Sequence, residues 1–267
     1  MPSAQINGHR MHYEVHGTGE PLILSGGWGT FCHGEERHLP AGLTDRYSVI
    51  LFDHRGIGES GDDLAVPATT ALYADDVMGL ASHLGVARAH LVGLIGMGAC
   101  IMQEVAIRRP DLARSMVNTG AWIAVDRFLG DQLAMLLSAH RDFGFLPFQK
   151  IVSLLSFEPD YYARNVDRLL GETGVWSELN GRVGAHARFI EACLAHDARD
   201  RAGAIRAPTL VQHAGLDQVT GPRTTRPIEE AIPNAEGLDM PQAAHVIAGS
   251  RRKAEFADAL LGFLARH

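Results

Sequence analysis

Short apolar runs alternate with longer stretches of helical spacing along most of the chain. Arg10–His16 alternates apolar and polar positions and predicts an edge strand. Pro21–Leu24, Tyr47–Phe52, Ala89–Val92, Ser115–Thr119 and Thr209–His213 are compact apolar runs that predict buried strands, and Leu238 and Met240 mark a last short one. Leu72, Val77, Leu80 and Leu84 recur on one helical face. Ala99–Arg109 predicts a helix stopped by Pro110, and Lys253–Leu264 a closing amphipathic helix. Strands separated by helices imply an α/β fold: a mostly parallel, twisted sheet with helices on both faces.

Residues 121–202 break this rhythm. They are helix-like, rich in Phe, Leu, Tyr and Arg, and contain no clear strand. The chain therefore divides into a core of residues 1–120 and 203–267 and a helical cap inserted at 121–202, over the sheet edge where α/β folds bind ligands.

Composition removes several classes. In 267 residues the net charge is -7 and basic residues are scattered, which argues against a nucleic-acid partner. No run approaches the roughly 18 apolar residues of a membrane span, and Met1–Gln5 carries no signal-peptide pattern. Cys32, Cys100 and Cys193 are odd in number and widely spaced, matching neither a disulfide framework nor a zinc site. A reducing cytoplasm is the expected home, with a small-molecule substrate, no cofactor and no metal. Exposed apolar positions in the insertion are compatible with a homodimer.

Candidate chemistry collects at the predicted strand ends. Asp217 lies just past the Thr209–His213 run, where a carboxylate can orient a histidine. His245 precedes the closing helix, and histidine is the usual general base because an imidazole as a side-chain type ionises near neutrality. Each alone is unremarkable; in this order and placement they form a pattern. Between the Ala89–Val92 strand and its helix runs Gly93-Leu94-Ile95-Gly96-Met97-Gly98, at the place where a sharp turn often presents a serine in G-x-S-x-G. No serine is present. Counting back from Gln103 and Pro110 puts Gly96 at the nucleophile position, and counting forward from His90 puts Ile95 there. One residue has entered the turn. Gly96 is favoured because Gly96-Met97-Gly98 keeps the nucleophile-x-Gly spacing, but neither residue can attack a carbonyl. Cys100, inside the helix, reads as a buried structural cysteine.

With Leu24-Ser25-Gly26-Gly27, Phe52-Asp53-His54-Arg55-Gly56-Ile57-Gly58-Glu59-Ser60, the elbow, Ala207–Val211, Gly215–Asp217 and Ala244-His245 in this order, the chain resembles the α/β-hydrolase superfamily, in the capped branch of 3-oxoadipate enol-lactonases, C–C bond hydrolases and small esterases. The resemblance covers nearly the whole chain. It implies Asp217 as triad acid, His245 as triad base, and an oxyanion hole from the amides of Gly27 or Trp28 and of Met97; Gly26-Gly27 reads equally as a flexible turn. The loop that usually reads His-Gly is Ser25-Gly26 here. The Asp53–Ser60 turn is a structural feature of the family.

Beyond that loop, Cys32–His38 is charged and histidine-rich. His33 or Glu35 is a candidate to enter the pocket as an extra acid or base, although a solvated loop with local ion pairs is the plainer reading, and the spacing fits no familiar zinc pattern. Trp122 and Trp176 are candidates for the pocket wall, as is Ile95; packing within the insertion accounts for the two tryptophans equally well.

The expected function is an enzyme acting on a small carbonyl compound (ester, lactone or β-diketone) with a His245–Asp217 dyad and no serine, through activated water or substrate proton abstraction. Alternatives are a non-hydrolytic lyase or cofactor-free oxygenase, or a silent small-ligand binder. Room for water above Gly96 favours water attack. If Ile95 fills that space, proton abstraction is favoured.

Overall fold

The computed structural model describes residues 2–34 and 38–267. Glu35, one of the candidates above, lies outside them. The core is an eight-stranded sheet in the order β1-β2-β4-β3-β5-β6-β7-β8. Its strands are β1 (Ser3–Ile6), β2 (His9–His16), β3 (Glu20–Ser25), β4 (Tyr47–Phe52), β5 (Ala89–Gly93), β6 (Ala113–Thr119), β7 (Thr209–Ala214) and β8 (Ala235–Met240). Strand β2 runs antiparallel to both β1 and β4, and every other pairing is parallel. The Arg10–His16 segment is therefore not the edge: β1, too short to show a period in the sequence, covers it.

The inner strands β3, β4 and β5 are mainly apolar and buried because both faces of the sheet are covered there, as parallel sheets require. On β3, Leu22 and Leu24 pack toward α8 (Ser250–Leu264), with Phe256, Leu260 and Phe263. Ile23, one residue out of phase, joins the opposite core with Val77 and Leu80 of α1 (Thr70–His83) and Ile101 and Val105 of α2 (Met97–Arg108). Helix α1 starts where the Thr69 hydroxyl accepts the Leu72 amide at 3.0 Å, satisfying an otherwise unpaired first-turn donor.

Between β6 and β7 lie α3 (Arg127–Phe143), α4 (Phe145–Ser156), α5 (Pro159–Leu169) and α6 (Val183–Ala195), with one isolated bridge, Ala124 to Asp197, closing the base of the insertion. Buried His196 ties its return to the core, bonding the Thr70 hydroxyl at 2.9 Å and the Gln103 amide oxygen at 3.2 Å. Arg182 donates to the carbonyls of Gly56 and Gly58, and Arg188 pairs with Asp62 at 2.8 Å. Helix α7 (Pro222–Ala231) follows β7 and has no counterpart in the sequence reading. Among the described residues no helix is long and apolar enough to cross a membrane.

Candidate active site

The carboxyl ends of β5, β6, β7 and β8 meet under the insertion. Asp217, in the loop after β7, has a fully buried side chain. Its Oδ1 accepts the amides of Val219 at 2.7 Å and Thr220 at 2.8 Å, and its Oδ2 accepts the Thr220 hydroxyl at 2.6 Å. His245, 7% exposed in the loop after β8, places Nδ1 2.8 Å from Asp217 Oδ2. Burial alone would raise the Asp217 pKa, but the His245 charge and hydrogen bond, with those of Thr220, outweigh it and bring the carboxyl down to about 2. Nδ1 is thereby committed to Asp217, which leaves Nε2 as the ring nitrogen available for proton transfer.

Gly120, at the end of β6, keeps this ring where it is. It has φ +57, and a Cβ there would lie 2.9 Å from His245 Cε1, so only glycine lets the imidazole lie against the backbone. The same Cβ would be 3.5 Å from the Gly96 amide, which places histidine and elbow side by side.

At the elbow two consecutive residues take positive φ, Ile95 at 63° and Gly96 at 63°. Gly96 has ψ -111° and directly precedes α2. A β-branched residue in this region is an outlier; Ile95 is held by its amide, which donates to the Thr119 hydroxyl at 2.9 Å, while the Gly96 amide bonds the Thr119 carbonyl at 3.2 Å. Both residues of the inserted turn are thus fastened to the end of β6.

A small, almost wholly apolar pocket of about 30 Å³ lies beside Gly96, bordered by His245, Trp28, Trp122 and Trp176. Gly27 and Met97 also line it, and the amides of Gly27, Trp28 and Met97 donate to no acceptor among the described residues. The Met97 amide opens the first turn of α2, where unpaired N–H groups and the helix dipole favour negative charge. The loop after β3 that carries Gly27 and Trp28 is steadied by buried His54, which burial favours in its neutral form and whose Nε2 donates to the Gly26 carbonyl at 3.0 Å. A wider groove of about 570 Å³ lies alongside, passing Thr119 and Phe157 and carrying Arg168 and Lys253; Ile95 lines both spaces and forms the partition between them.

The sequence-predicted residues thus divide. His245, Asp217, Gly96, Ile95, Gly27, Trp28, Met97, Trp122 and Trp176 come together. His33 does not join them. It lines neither space; its Nε2 lies 3.0 Å from Asp53 and its ring stacks on His12. Cys100 is fully buried, its Sγ toward the Trp122 carbonyl at 3.5 Å, and burial pushes its thiol pKa well up, so it is no thiolate nucleophile.

Three contributors escaped the sequence reading. Thr220 bonds Asp217 and approaches His245 Nδ1 at 3.3 Å. Gly120 was legible only as a glycine after a strand. Ser156, the last residue of α4, lines the cavity with a buried hydroxyl that has no partner, while its carbonyl accepts the Val246 amide at 2.9 Å. A serine interrupting Leu154-Leu155-Ser156-Phe157 was its only signal.

The comparisons bear on family and fold. Residues 20–249 match the family model described as alpha/beta hydrolase fold, and the chain belongs to that family. It is 30% identical to a protein named "Putative carbamate hydrolase RutD" from Azorhizobium caulinodans over 98% of both chains, and 29% identical to the protein of that name from Caulobacter sp. over 99% of this chain and 98% of the other. Among solved structures it superposes on MGS-M2, an alpha/beta hydrolase enzyme from a Medee basin deep-sea metagenome library, with TM-score 0.88 and 19% identity over 99% of this chain and 97% of that one. For the enol-lactonase of Burkholderia xenovorans LB400 the TM-score is 0.81 at 24% identity, over 99% of this chain and all of that one. At these identities the two structures speak for the fold.

Proposed function

We propose that this chain hydrolyses a small, partly apolar carbonyl compound by general-base activation of water, without a covalent enzyme intermediate. The observation that carries this reading is the His245–Asp217 pair at 2.8 Å, with His245 lining a small apolar pocket beside Gly96. A water needs roughly 10–15 Å³ of such space, so a cavity of about 30 Å³ has room for it. Ile95 stands at the partition and does not fill this space, which favours water attack over substrate proton abstraction.

In this mechanism His245 Nε2 takes a proton from water as the oxygen bonds to the carbonyl carbon. Asp217 holds the ring and stabilises the imidazolium. The oxyanion accepts the Met97 amide and that of Gly27 or Trp28. His245 then returns the proton to the leaving oxygen or nitrogen as the tetrahedral intermediate collapses. The insertion acts as a cap that excludes bulk water, and the Ile95 partition must shift to admit substrate from the wider groove. The relatives' name adds carbamates to the esters, lactones and β-diketones expected from the sequence; in a carbamate the proton is returned to the amine. Ser156 supplies a hydroxyl for a polar substituent of the substrate.

The test is turnover of a panel of p-nitrophenyl esters, enol-lactones, β-diketones and carbamates by the native chain and by His245→Ala, with mass spectrometry of the intact protein after rapid acid quench during turnover. Loss of activity in the variant and no acyl adduct on the native chain are expected; an adduct defeats direct water attack. Turnover that survives His245→Ala defeats the mechanism. No turnover with tight binding of a panel member makes the chain a ligand-binding protein instead.

A further inference from the structure

Outside the cavity, His12 on β2, His33 on the loop after β3 and Asp53 at the end of β4 converge, each offering one ligand atom within 4.8 Å of the others'. A second trio adds Glu14 and Cys32 around the same His12. Asp53 is fully buried and His12 is 1% exposed. Asp53 Oδ2 accepts the Glu59 amide at 2.7 Å and approaches His33 Nε2 at 3.0 Å, but its Oδ1 has no partner, nor has His12 Nδ1. Glu14 stands beside both rings, its Oε1 3.5 Å from His12 Nε2 and 4.0 Å from His33 Nδ1, and Glu59 approaches each ring at 3.9 Å.

Two imidazoles among three carboxylates, with a buried oxygen and a buried nitrogen unsatisfied, form a donor set with a cation's complement of charge. Leaving such buried groups unpaired is costly. We propose that His12, His33 and Asp53 bind a transition-metal dication of the zinc class, with Glu14 supplying a further oxygen. Mixed nitrogen and oxygen donors suit that class, whereas magnesium and calcium prefer oxygen alone. Cys32 belongs to the second trio, with Glu14 around His12, and not to the trio that includes Asp53. Zinc–nitrogen bonds of about 2.0–2.1 Å require the donors to draw in by roughly an ångström. His33, 30% exposed and on a loop, is the ligand best able to do so. The ion takes no part in the reaction. It fastens the loop that begins at Gly26 to β2 and β4, and that loop carries the amides of Gly27 and Trp28.

The competing arrangement is an ion pair in which protonated His33 simply neutralises Asp53. Tag-free protein stripped with a chelator and dialysed is titrated calorimetrically with Zn²⁺, and Co²⁺ is used as an absorbing probe. One saturable equivalent, tetrahedral Co²⁺ bands and a raised Tm are expected. His33→Gln, whose fold is checked by its Tm in chelator, should weaken Zn²⁺ binding by more than the roughly 10–100-fold that loss of an outer partner causes. His245→Ala should bind as the native chain does. Absence of saturable uptake, or equal uptake by His33→Gln, overturns the proposal. So does Zn²⁺ binding that disappears in His245→Ala, which would put the ion in the cavity.

Discussion

His245 and His33 each face a buried carboxylate at the carboxyl-terminal edge of the sheet, at 2.8 Å from Asp217 and 3.0 Å from Asp53. The surroundings separate them. Asp217 is saturated by two amides, a hydroxyl and the ring, whereas Asp53 keeps one oxygen unpartnered. His245 lines an apolar cavity. His33 is stacked on another histidine beside Glu14 and Glu59, and although partial burial pulls its pKa down, the hydrogen bond and charge of Asp53 and these neighbours raise it above the usual value. A histidine that is to move protons needs one nitrogen held and the other aimed at a reacting group. A histidine surrounded by carboxylates holds its own proton, or gives it up to a cation. Contact with an acid is therefore poor grounds for naming a base; what the second nitrogen faces decides the matter.

The comparison breaks most readily at His245. Its replacement by alanine should lower kcat/KM by about 10²–10⁴-fold, the usual range for a general base. If His33→Ala costs as much in the same assay, the two pairs are not distinct in function. Next, Gly120→Ala should push the His245 ring aside and cost about 10²-fold in kcat, as an ångström of misplacement does, with a far-ultraviolet spectrum like that of the native chain.

A smaller effect follows from the depressed carboxyl of Asp217. With a folded pKa of about 2, against about 3.9 in the unfolded chain, it contributes about 2–3 kcal/mol of stability at neutral pH. That contribution is present above pH 4 and is lost as pH falls through 2. Urea denaturation across this range should show the loss, and Asp217→Asn should lack that part of it. Smallest is Ser156→Ala, which removes one hydrogen bond worth about 1 kcal/mol. It should raise KM several-fold for substrates with a polar substituent and leave simple esters unaffected; equal effects on both would remove Ser156 from substrate contact.

The fold was legible because both faces of the sheet are covered, so each inner strand is a short apolar run, and because Pro110 and the closing helix punctuate the chain clearly. The errors lie where signals are shortest. Strand β1 has four residues, too few to show a period, and α7 opens with Pro222 in a polar, loop-like stretch. At the site, Asp217 and His245 could be found because chain order carries information about strand ends. Gly120 and Thr220 act through close approach and a local turn, which no spacing encodes. Of the two readings of His33, the structure matches the plainer one, a loop with local ion pairs, and not entry into the pocket; its partners come from β2 and β4, far away in the chain, and a histidine-rich loop beside an expected oxyanion turn points equally well toward or away from a pocket.

The missing hydroxyl at Gly96 also determines how this chain will behave in mixtures. Reagents that find serine hydrolases by trapping the nucleophile, such as fluorophosphonates and β-lactones, have nothing at residue 96 to capture. On the proposed mechanism, a proteome profiled that way misses the chain at residue 96 even as its substrate is consumed, and ligands shaped to the pocket and groove that Ile95 lines are the natural route to inhibiting it.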